Sequence, residues 1–339
     1  MKNHLGFLKH IRRKHIPNKI SLGTDCSGIE APLVALQLLG VNVEHEFACD
    51  NDANVKQSIM GNFKPKLYFD DITKRDHSKL PHVDIYVAGF PCQTFSMLGK
   101  RAGFRDHMKG TIFFDSLSTI LCTKPKCFIL ENVKGLVNHD KGKTFRLIMG
   151  SLNDIGDYYV HYHVYNTLDY GLPQNRERVY IVGLHKKHFT NSYSIPVRIP
   201  IEFSINDIIQ QHTPRDSKYG RMTQHKLDVL HDLMDVGKID DLEEPWCVNL
   251  NVSSYKRTSP MKHVCPCLLA GNGGDCIYYY TPIMRRFTPR EYLRLQGFPD
   301  SFKQVVKDRF MYKQVGNSMS TNVLCAIYSS IYECTKDIC

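Results

Sequence analysis

Three features of this sequence could do chemistry: a cysteine in a polar loop, a glutamate closing an apolar run, and two closely spaced arginines. Cys92 lies in Gly89-Phe90-Pro91-Cys92-Gln93 and is followed by Thr94, Ser96, Lys100, Arg101 and Arg105, with Gly99 and Gly103 as hinges. Most buried cysteines are inert small hydrophobes. A cysteine in a basic, glycine-hinged loop can instead be held as a thiolate and can move. Glu131, in Glu131-Asn132-Val133, ends an apolar run. A carboxylate there is costly unless it serves a purpose, and burial raises its proton affinity. Arg176 and Arg178 stand in Gln174-Asn175-Arg176-Glu177-Arg178, just before another β-prone run. The set suits covalent catalysis, with a thiolate nucleophile, a proton-carrying acid and guanidiniums for developing charge.

A second group sits nearer the N-terminus. Asp25-Cys26-Ser27-Gly28 follows a predicted strand, with a single glycine where a dinucleotide fold would have three. That argues against a pyrophosphate and is compatible with a phosphate-free cofactor. Asp50 lies 22 residues after Gly28, placed to accept hydrogen bonds from ribose hydroxyls. Asp71 is placed to accept from an adenine amino group, with Ile72 against the ring. Taken singly, each aspartate reads more readily as a helix cap or turn residue, and it is the set at successive strand ends that favours a cofactor.

These residues need a scaffold. Strands are predicted at 20–25, 43–50, 66–69, 83–89, 127–131, 160–166 and 179–184. Helices are predicted at 31–39, 52–61, 112–121 and 145–155. Alternation of this kind gives a mostly parallel sheet covered by helices, with ligands bound beyond the carboxyl ends of the strands. Cys26, Asp50, Asp71, Cys92 and Glu131 all fall at or just after such ends. Regularity breaks at about residue 187. It returns over 286–296, and 318–332 reads as a helix. The expected division is a basic arm at 1–19, a catalytic domain at 20–186 and 285–339, and a smaller domain at 187–284.

The formal net charge is +10, and residues 1–19 supply six of those charges through Lys2, Lys9, Arg12, Arg13, Lys14 and Lys19. Such an arm suits a phosphate backbone or is a solvated tail. No apolar run approaches the roughly 20 residues of a membrane span. No secretory leader is read, so the protein is expected inside the cell with free thiols among its 12 cysteines.

The order Pro91-Cys92-Gln93, Glu131-Asn132-Val133, Gln174 to Arg178, Arg286 to Pro299 and Gly316-Asn317-Ser318 resembles the cytosine-5 DNA methyltransferase family. The resemblance covers about residues 20–186 and 285–334. It implies a Rossmann-like methyltransferase sheet with a target-recognition domain inserted before the C-terminal motifs, and S-adenosylmethionine as cofactor. By resemblance, Cys92 adds to carbon 6 of a flipped cytosine and Glu131 bonds the exocyclic amine and ring nitrogen 3. Arg178 holds the carbonyl oxygen of the base, and Arg176 supports the catalytic loop. Gln93 and Ser96 contact the DNA. The cofactor would be held by Cys26, Ser27, Gly28, Ile29, Asp50, Asn51, Asp71 and Ile72, together with Gly89, Pro91, Asn317 and Met319. Double-stranded DNA is the implied partner, with a monomer acting wherever the DNA is. That is a prokaryotic cytoplasm, or the nucleus or cytoplasm of a host cell if the protein is viral. A cognate restriction nuclease is a further partner of such enzymes.

The sequence departs from the family at Glu30-Ala31, where two glycines are common, and at Cys267, where a phosphate-contacting threonine is common. Cys247, Cys265, Cys267 and Cys276 lack paired Cys-x-x-Cys spacing, so no metal is expected. Three rivals stand beside the main reading. A tRNA-methylating relative would carry a Cys-Phe-Thr signature, which is not found here. A reader of DNA without activity would have no chemical reason to keep Cys92, Glu131 and Arg178 together. A thiol–disulfide enzyme would give Cys92 a Cys-x-x-Cys partner.

Overall fold

The computed structural model describes residues 4–91, 112–210, 213, 218–271 and 277–336. Packing divides the chain into two compact units. The larger comprises Ile11–Tyr165, Glu177–Val197 and Val323–Cys339; the smaller comprises Met1–His10, Asn166–Arg176 and Arg198–Asn322.

The larger unit is built on a seven-stranded sheet. Its strands are β1 (Lys19–Asp25), β2 (Asn42–Cys49), β3 (Leu67–Phe69), β4 (Ile85–Ala88), β5 (Cys127–Val133), β6 (Tyr158–Asn166) and β8 (Glu177–His185). They lie in the order β3-β2-β1-β4-β5-β8-β6. Strands β3, β2, β1, β4 and β5 run parallel, and β8 lies antiparallel to β5. This is the Rossmann-like arrangement the sequence predicts. The central strands β4 and β5 read as nearly continuous apolar runs because both faces are covered: all four residues of β4 and all but the last of β5 are buried. Gly23 in β1 has a packing reason, since a Cβ there would lie 2.2 Å from the Phe47 ring.

The chain leaves β1 toward β2 and β3 on one side, then crosses to β4 and β5 on the other. The strand order therefore reverses between β1 and β4, which is where open α/β sheets form a ligand crevice. The helices are α1 (Ala31–Leu38), α2 (Ala53–Asn62), α3 (Ile112–Thr123) and α4 (Lys143–Asn153). In α4 the buried residues Phe145, Ile148 and Leu152 share one face. They join Phe113 and Ile120 of α3 and Phe128 and Leu130 of β5 in one core. Each such side chain contributes about 1.5–3 kcal/mol on burial.

The smaller unit holds a four-stranded sheet built from β9 (Trp246–Val248), β10 (Met261–Lys262), β12 (Tyr279–Tyr280) and β13 (Arg285–Arg286). Their order is β10-β9-β12-β13, while β7 (Gln174–Asn175) pairs with β11 (Cys265–Pro266). Its helices are α5 (Gln224–Asp235), α6 (Pro289–Leu295) and α7 (Asp308–Asn317). The irregular stretch after residue 187 thus contains a helix and a sheet. Val229, Leu230 and Leu233 of α5 pack with Val248, Leu250 and Tyr279. Because β13 pairs with β12, segment 285–322 packs with residues 198–284, whatever chemistry its motifs serve. The last helix, α8 (Thr321–Glu333), begins three residues later than predicted, and its buried residues from Val323 onward belong to the larger unit.

Part of the basic arm is packed, while Lys9, Arg12, Arg13, Lys14 and Lys19 stay exposed. Residues 6–10 form a 3-10 turn, His4 and Phe7 are buried, and His4 Nε2 lies 2.8 Å from the Phe298 carbonyl oxygen. Arg12 pairs with Glu333 at 3.6 Å in the larger unit. Among the described residues no helix is long and apolar enough to cross a membrane.

Candidate active site

The turn after β1 is shaped by left-handed residues at Cys26 (φ 48°), Gly28 (φ 54°) and Glu30 (φ 60°). Glycine suits this conformation; Cys26 and Glu30 adopt it against a steric cost, so the surroundings must hold them there. The Ser27 hydroxyl accepts from Cys49 N–H at 3.0 Å, fixing the turn to the end of β2. Gly28 N–H donates to Asp50 Oδ2 at 3.0 Å, and Asp52 N–H donates to Asp50 Oδ1 at 3.0 Å. Burial raises the Asp50 carboxyl above its ordinary range, and these two bonds pull it back only in part. Both oxygens keep further lone pairs. Among the described residues, a Cβ at Gly28 would meet nothing within 4 Å.

Asp71 caps the 3-10 turn at Ile72–Lys74, accepting from Thr73 N–H (2.9 Å) and Thr73 Oγ1 (2.7 Å). The capping role available from sequence is therefore real, and it leaves Asp71 Oδ2 facing Lys74 at 3.2 Å. Ile72 is buried.

Sequence reasoning missed a buried cross-brace beneath these groups. Arg75 donates to both oxygens of Asp25, at 2.6 and 2.5 Å. Tyr86 Oη donates to Asp25 Oδ2 at 2.7 Å, and Arg75 Nη2 donates to Thr119 Oγ1 at 2.7 Å. The partners come from β1, β4, α3 and the loop after β3, so no local spacing announces them.

Strand β4 runs into Gly89, Phe90 and Pro91, and Pro91 is exposed. Cys92, Gln93 and Ser96 lie outside the described residues. What holds the approach to Cys92 is visible. Asn132 Nδ2 donates to the buried Phe90 carbonyl at 2.7 Å, and its Oδ1 accepts from Val133 N–H at 2.8 Å. Asn132 is itself 3% exposed. Ala88 pairs with Leu130, so Pro91 and Glu131 emerge at one sheet edge.

Strand β8 runs back along β5 and sets Val133 opposite Arg178. Val133 and Glu131 share a face, two residues apart, which makes Arg178 a diagonal neighbour of Glu131. Arg178 Nε lies 3.2 Å from Glu131 Oε1, both side chains being at most 15% exposed. Several other cysteines are held as thiols. Burial, with Asp25 next, pushes Cys49 up to about 12, and burial also raises Cys26, Cys127, Cys265 and Cys325.

In the smaller unit Arg176 is 2% exposed. Its guanidinium bonds three backbone carbonyls: Nη1 donates to Leu268 O (2.8 Å), and Nη2 to Gly316 O (2.9 Å) and Ser318 O (2.7 Å). Gly316 packs so closely that a Cβ would lie 2.4 Å from the Leu269 carbonyl group. Arg176 therefore ties Gly316-Asn317-Ser318 to the segment at Leu268. Asn317 is exposed and Met319 buried within that turn. Arg176 Nη1 also lies 3.5 Å from the Cys267 sulfur. Tyr279 and Tyr280 form a buried strand. Cys276 lies outside the described residues, and among those described no three His, Cys, Asp or Glu residues are grouped to hold a metal ion.

A family model described as C-5 cytosine-specific DNA methylase matches residues 18–333. The type II methyltransferase M.Bsp6I of Bacillus sp. (strain RFL6) is 35% identical over 300 residues, covering 86% of this chain and 91% of that protein. M.HpaII of Haemophilus parainfluenzae is 35% identical over 328 residues, covering 91% and 87%. Among solved structures, a DNA modification methyltransferase encoded within an E. coli prophage superposes with a TM-score of 0.65 at 19% identity, covering 93% of this chain and 99% of that one. The S. pombe Dnmt2 methyltransferase gives 0.64 at 16% identity, covering 93% and 98%. At these identities the two structures speak for the fold.

Proposed function

The chain belongs to the C-5 cytosine-specific DNA methylase family, and we propose from that premise that it methylates carbon 5 of a flipped cytosine through a covalent Cys92 adduct. The observation that carries this reading is the contact of Glu131 with Arg178 at the edge where β4 delivers Pro91.

Carbon 5 of cytosine is a poor nucleophile. Addition of the Cys92 thiolate to carbon 6 places electrons on the ring and makes carbon 5 able to attack. Glu131, on β5, bonds the exocyclic amine and ring nitrogen 3, and its proton offsets the charge entering the ring. Arg178, already beside Glu131, reaches the carbonyl oxygen of the base. Once carbon 5 carries the methyl group, a general base takes its proton, the C–H electrons re-form the ring double bond and expel Cys92 as thiolate, and the proton on ring nitrogen 3 returns to Glu131. Asn132 holds the Phe90 carbonyl and so fixes the strand end from which Cys92 extends.

S-adenosylmethionine supplies an electrophilic methyl group when bound. The residues present fit it: open space beside Gly28, lone pairs on Asp50 for ribose hydroxyls, and Asp71 with Ile72 for the adenine. Cys26, Ser27, Ile29, Asn51, Gly89, Pro91, Asn317 and Met319 complete the proposed cofactor set. Gln93 and Ser96 contact the DNA. Residues 187–284 read the target sequence in double-stranded DNA, and residues 20–186 with 285–339 carry the catalytic motifs. The enzyme acts as a monomer in the compartment that holds its DNA. Relatives named as type II methyltransferases favour a cognate restriction nuclease as partner.

Tritium transfer from labelled S-adenosylmethionine, run on duplex DNA and on tRNA, tests the reading. The expected product is labelled 5-methylcytosine in DNA. Label confined to tRNA would overturn the assignment of substrate.

A further inference from the structure

We propose that Asp25 and Arg75 are positioning residues for the cofactor, which set its affinity by fixing the spacing of the three strand ends that receive it. The proposal rests on the reading that S-adenosylmethionine binds at those ends.

One guanidinium reaches all three. Asp25, which it binds through both oxygens, immediately precedes the Cys26-Ser27-Gly28 turn. The Phe47 ring, 5.3 Å from the guanidinium carbon, lies three residues before Asp50. The Phe69 ring, also at 5.3 Å, lies two residues before Asp71, and Arg75 itself lies three residues after Ile72. The side chains of Arg75 and Asp25 are 2% and 0% exposed. Tyr86 and Thr119 add contacts to Asp25 Oδ2, the latter at 3.3 Å, and Arg75 Nε lies 3.5 Å from His77 Nδ1.

A stability role alone does not account for this choice of residues. Two charges must be stripped of water, and an apolar pair of similar volume often stabilises a fold as well or better. What the pair adds is direction. The planar fork accepts one geometry with the carboxylate and stacks on the two rings. The segment it anchors needs such a restraint. Ile72–Lys74 is a single 3-10 turn with poor hydrogen-bond geometry, unable to hold Asp71 and Ile72 in place unaided. The Gly23 notch that admits the Phe47 ring belongs to the same arrangement.

The test uses the full chain and S-adenosylhomocysteine as the probe, titrated by calorimetry into wild type, Arg75→Lys and the double variant Asp25→Leu/Arg75→Met. The double variant leaves no buried charge unpaired, so it separates geometry from desolvation. The dissociation constant should rise at least tenfold in the double variant and by a smaller factor in Arg75→Lys, with cooperative thermal unfolding kept in both. In turnover assays the KM for S-adenosylmethionine should rise by a larger factor than kcat falls. A folded double variant with affinity within twofold of wild type would overturn the proposal and leave the cofactor reading standing. If the double variant fails to fold, Arg75→Lys decides in the same way: wild-type affinity there refutes positioning by the fork. A wild-type chain that binds neither S-adenosylhomocysteine nor S-adenosylmethionine would instead overturn the cofactor reading, and the positioning role with it.

Discussion

Replacing Asn132 with alanine isolates the link between the sheet and the nucleophile loop. The side chain makes two short bonds, to the Phe90 carbonyl (2.7 Å) and from Val133 N–H (2.8 Å). Phe90 is 2% exposed, so water does not readily replace the missing donor. Leaving such a buried group unsatisfied costs about 1–3 kcal/mol. If that cost appears in the placement of Cys92, the rate of methyl transfer falls roughly 5- to 150-fold, at about 1.4 kcal/mol per tenfold. Cofactor affinity should fall by a smaller factor, because Asn132 touches the Phe90 end, between Gly89 and Pro91, and its described bonds do not reach the ends at 26–29, 50–51 or 71–72 that carry most of the proposed cofactor contacts. The assay is single-turnover transfer of tritiated methyl to duplex DNA at saturating cofactor, with the melting temperature measured alongside. An unchanged rate with a lower melting temperature would refute the reasoning, since the energy would then reside in the fold as a whole. A raised cofactor KM with unchanged rate would refute it differently, by assigning Asn132 to the binding site.

A duplex carrying 5-fluorocytosine at the target should trap a covalent adduct that depends on S-adenosylmethionine, maps by mass spectrometry to the Cys92 peptide and is absent in Cys92→Ala; an adduct at Cys267 would reassign the nucleophile. Asp50→Ala should weaken S-adenosylhomocysteine binding by about 1.5–3 kcal/mol, the range for hydrogen bonds to charged groups, as read by calorimetry. Burial works to raise the Asp84 carboxyl, but bonds from Lys126 and Ser21 outweigh it and hold the group below its ordinary value. Its folded pKa is thus lower than its unfolded one, so it adds stability above about pH 4 that is lost as pH falls through the folded value; Asp84→Asn should flatten that acid limb in thermal melts. Substituting Arg12, Arg13 and Lys14 by glutamine should make log affinity for DNA less steep against log salt, by about 0.9 for each phosphate no longer neutralised; an identical slope would show that these side chains do not reach the backbone.

Much of the larger unit was legible because its central strands, β4, β5 and β8, are mostly buried and read as short apolar runs between turns. The strand at Cys127–Val133 and the helix at Ile112–Thr123 begin where expected. The smaller unit was not legible for an equally physical reason. Its sheet strands have two or three residues, too few for a period to show. Helix α5 opens on Gln224-His225-Lys226, and its three buried side chains come only afterwards. At the site, Glu131 and Arg178 could be singled out because charge in or beside an apolar strand is conspicuous. Asp25 and Arg75 were invisible as a pair, being 50 residues apart with nothing local to connect them. Arg176 and Arg178 look equivalent in sequence. Arg178 lies in strand β8 beside Glu131, whereas the Arg176 guanidinium bonds three backbone carbonyls of the smaller unit.

The way the chain alternates between its two units bears on how it is made. It passes from one unit to the other at residues 10–11, 165–166, 176–177, 197–198 and 322–323. The last stretch to join the larger unit belongs to α8, whose Leu324, Ile327, Tyr328 and Ile331 are each fully buried. Tyr328 Oη donates to the Pro32 carbonyl at 3.4 Å, and the Cys325 thiol to the Ala35 carbonyl at 3.5 Å, so α8 closes over α1. On the ribosome, a sheet whose strands are complete by His185 must wait for nearly 140 further residues before that face is covered. Until α8 has been made, α1 presents an apolar surface to the cell's chaperones, and a truncation anywhere before α8 leaves it exposed for good.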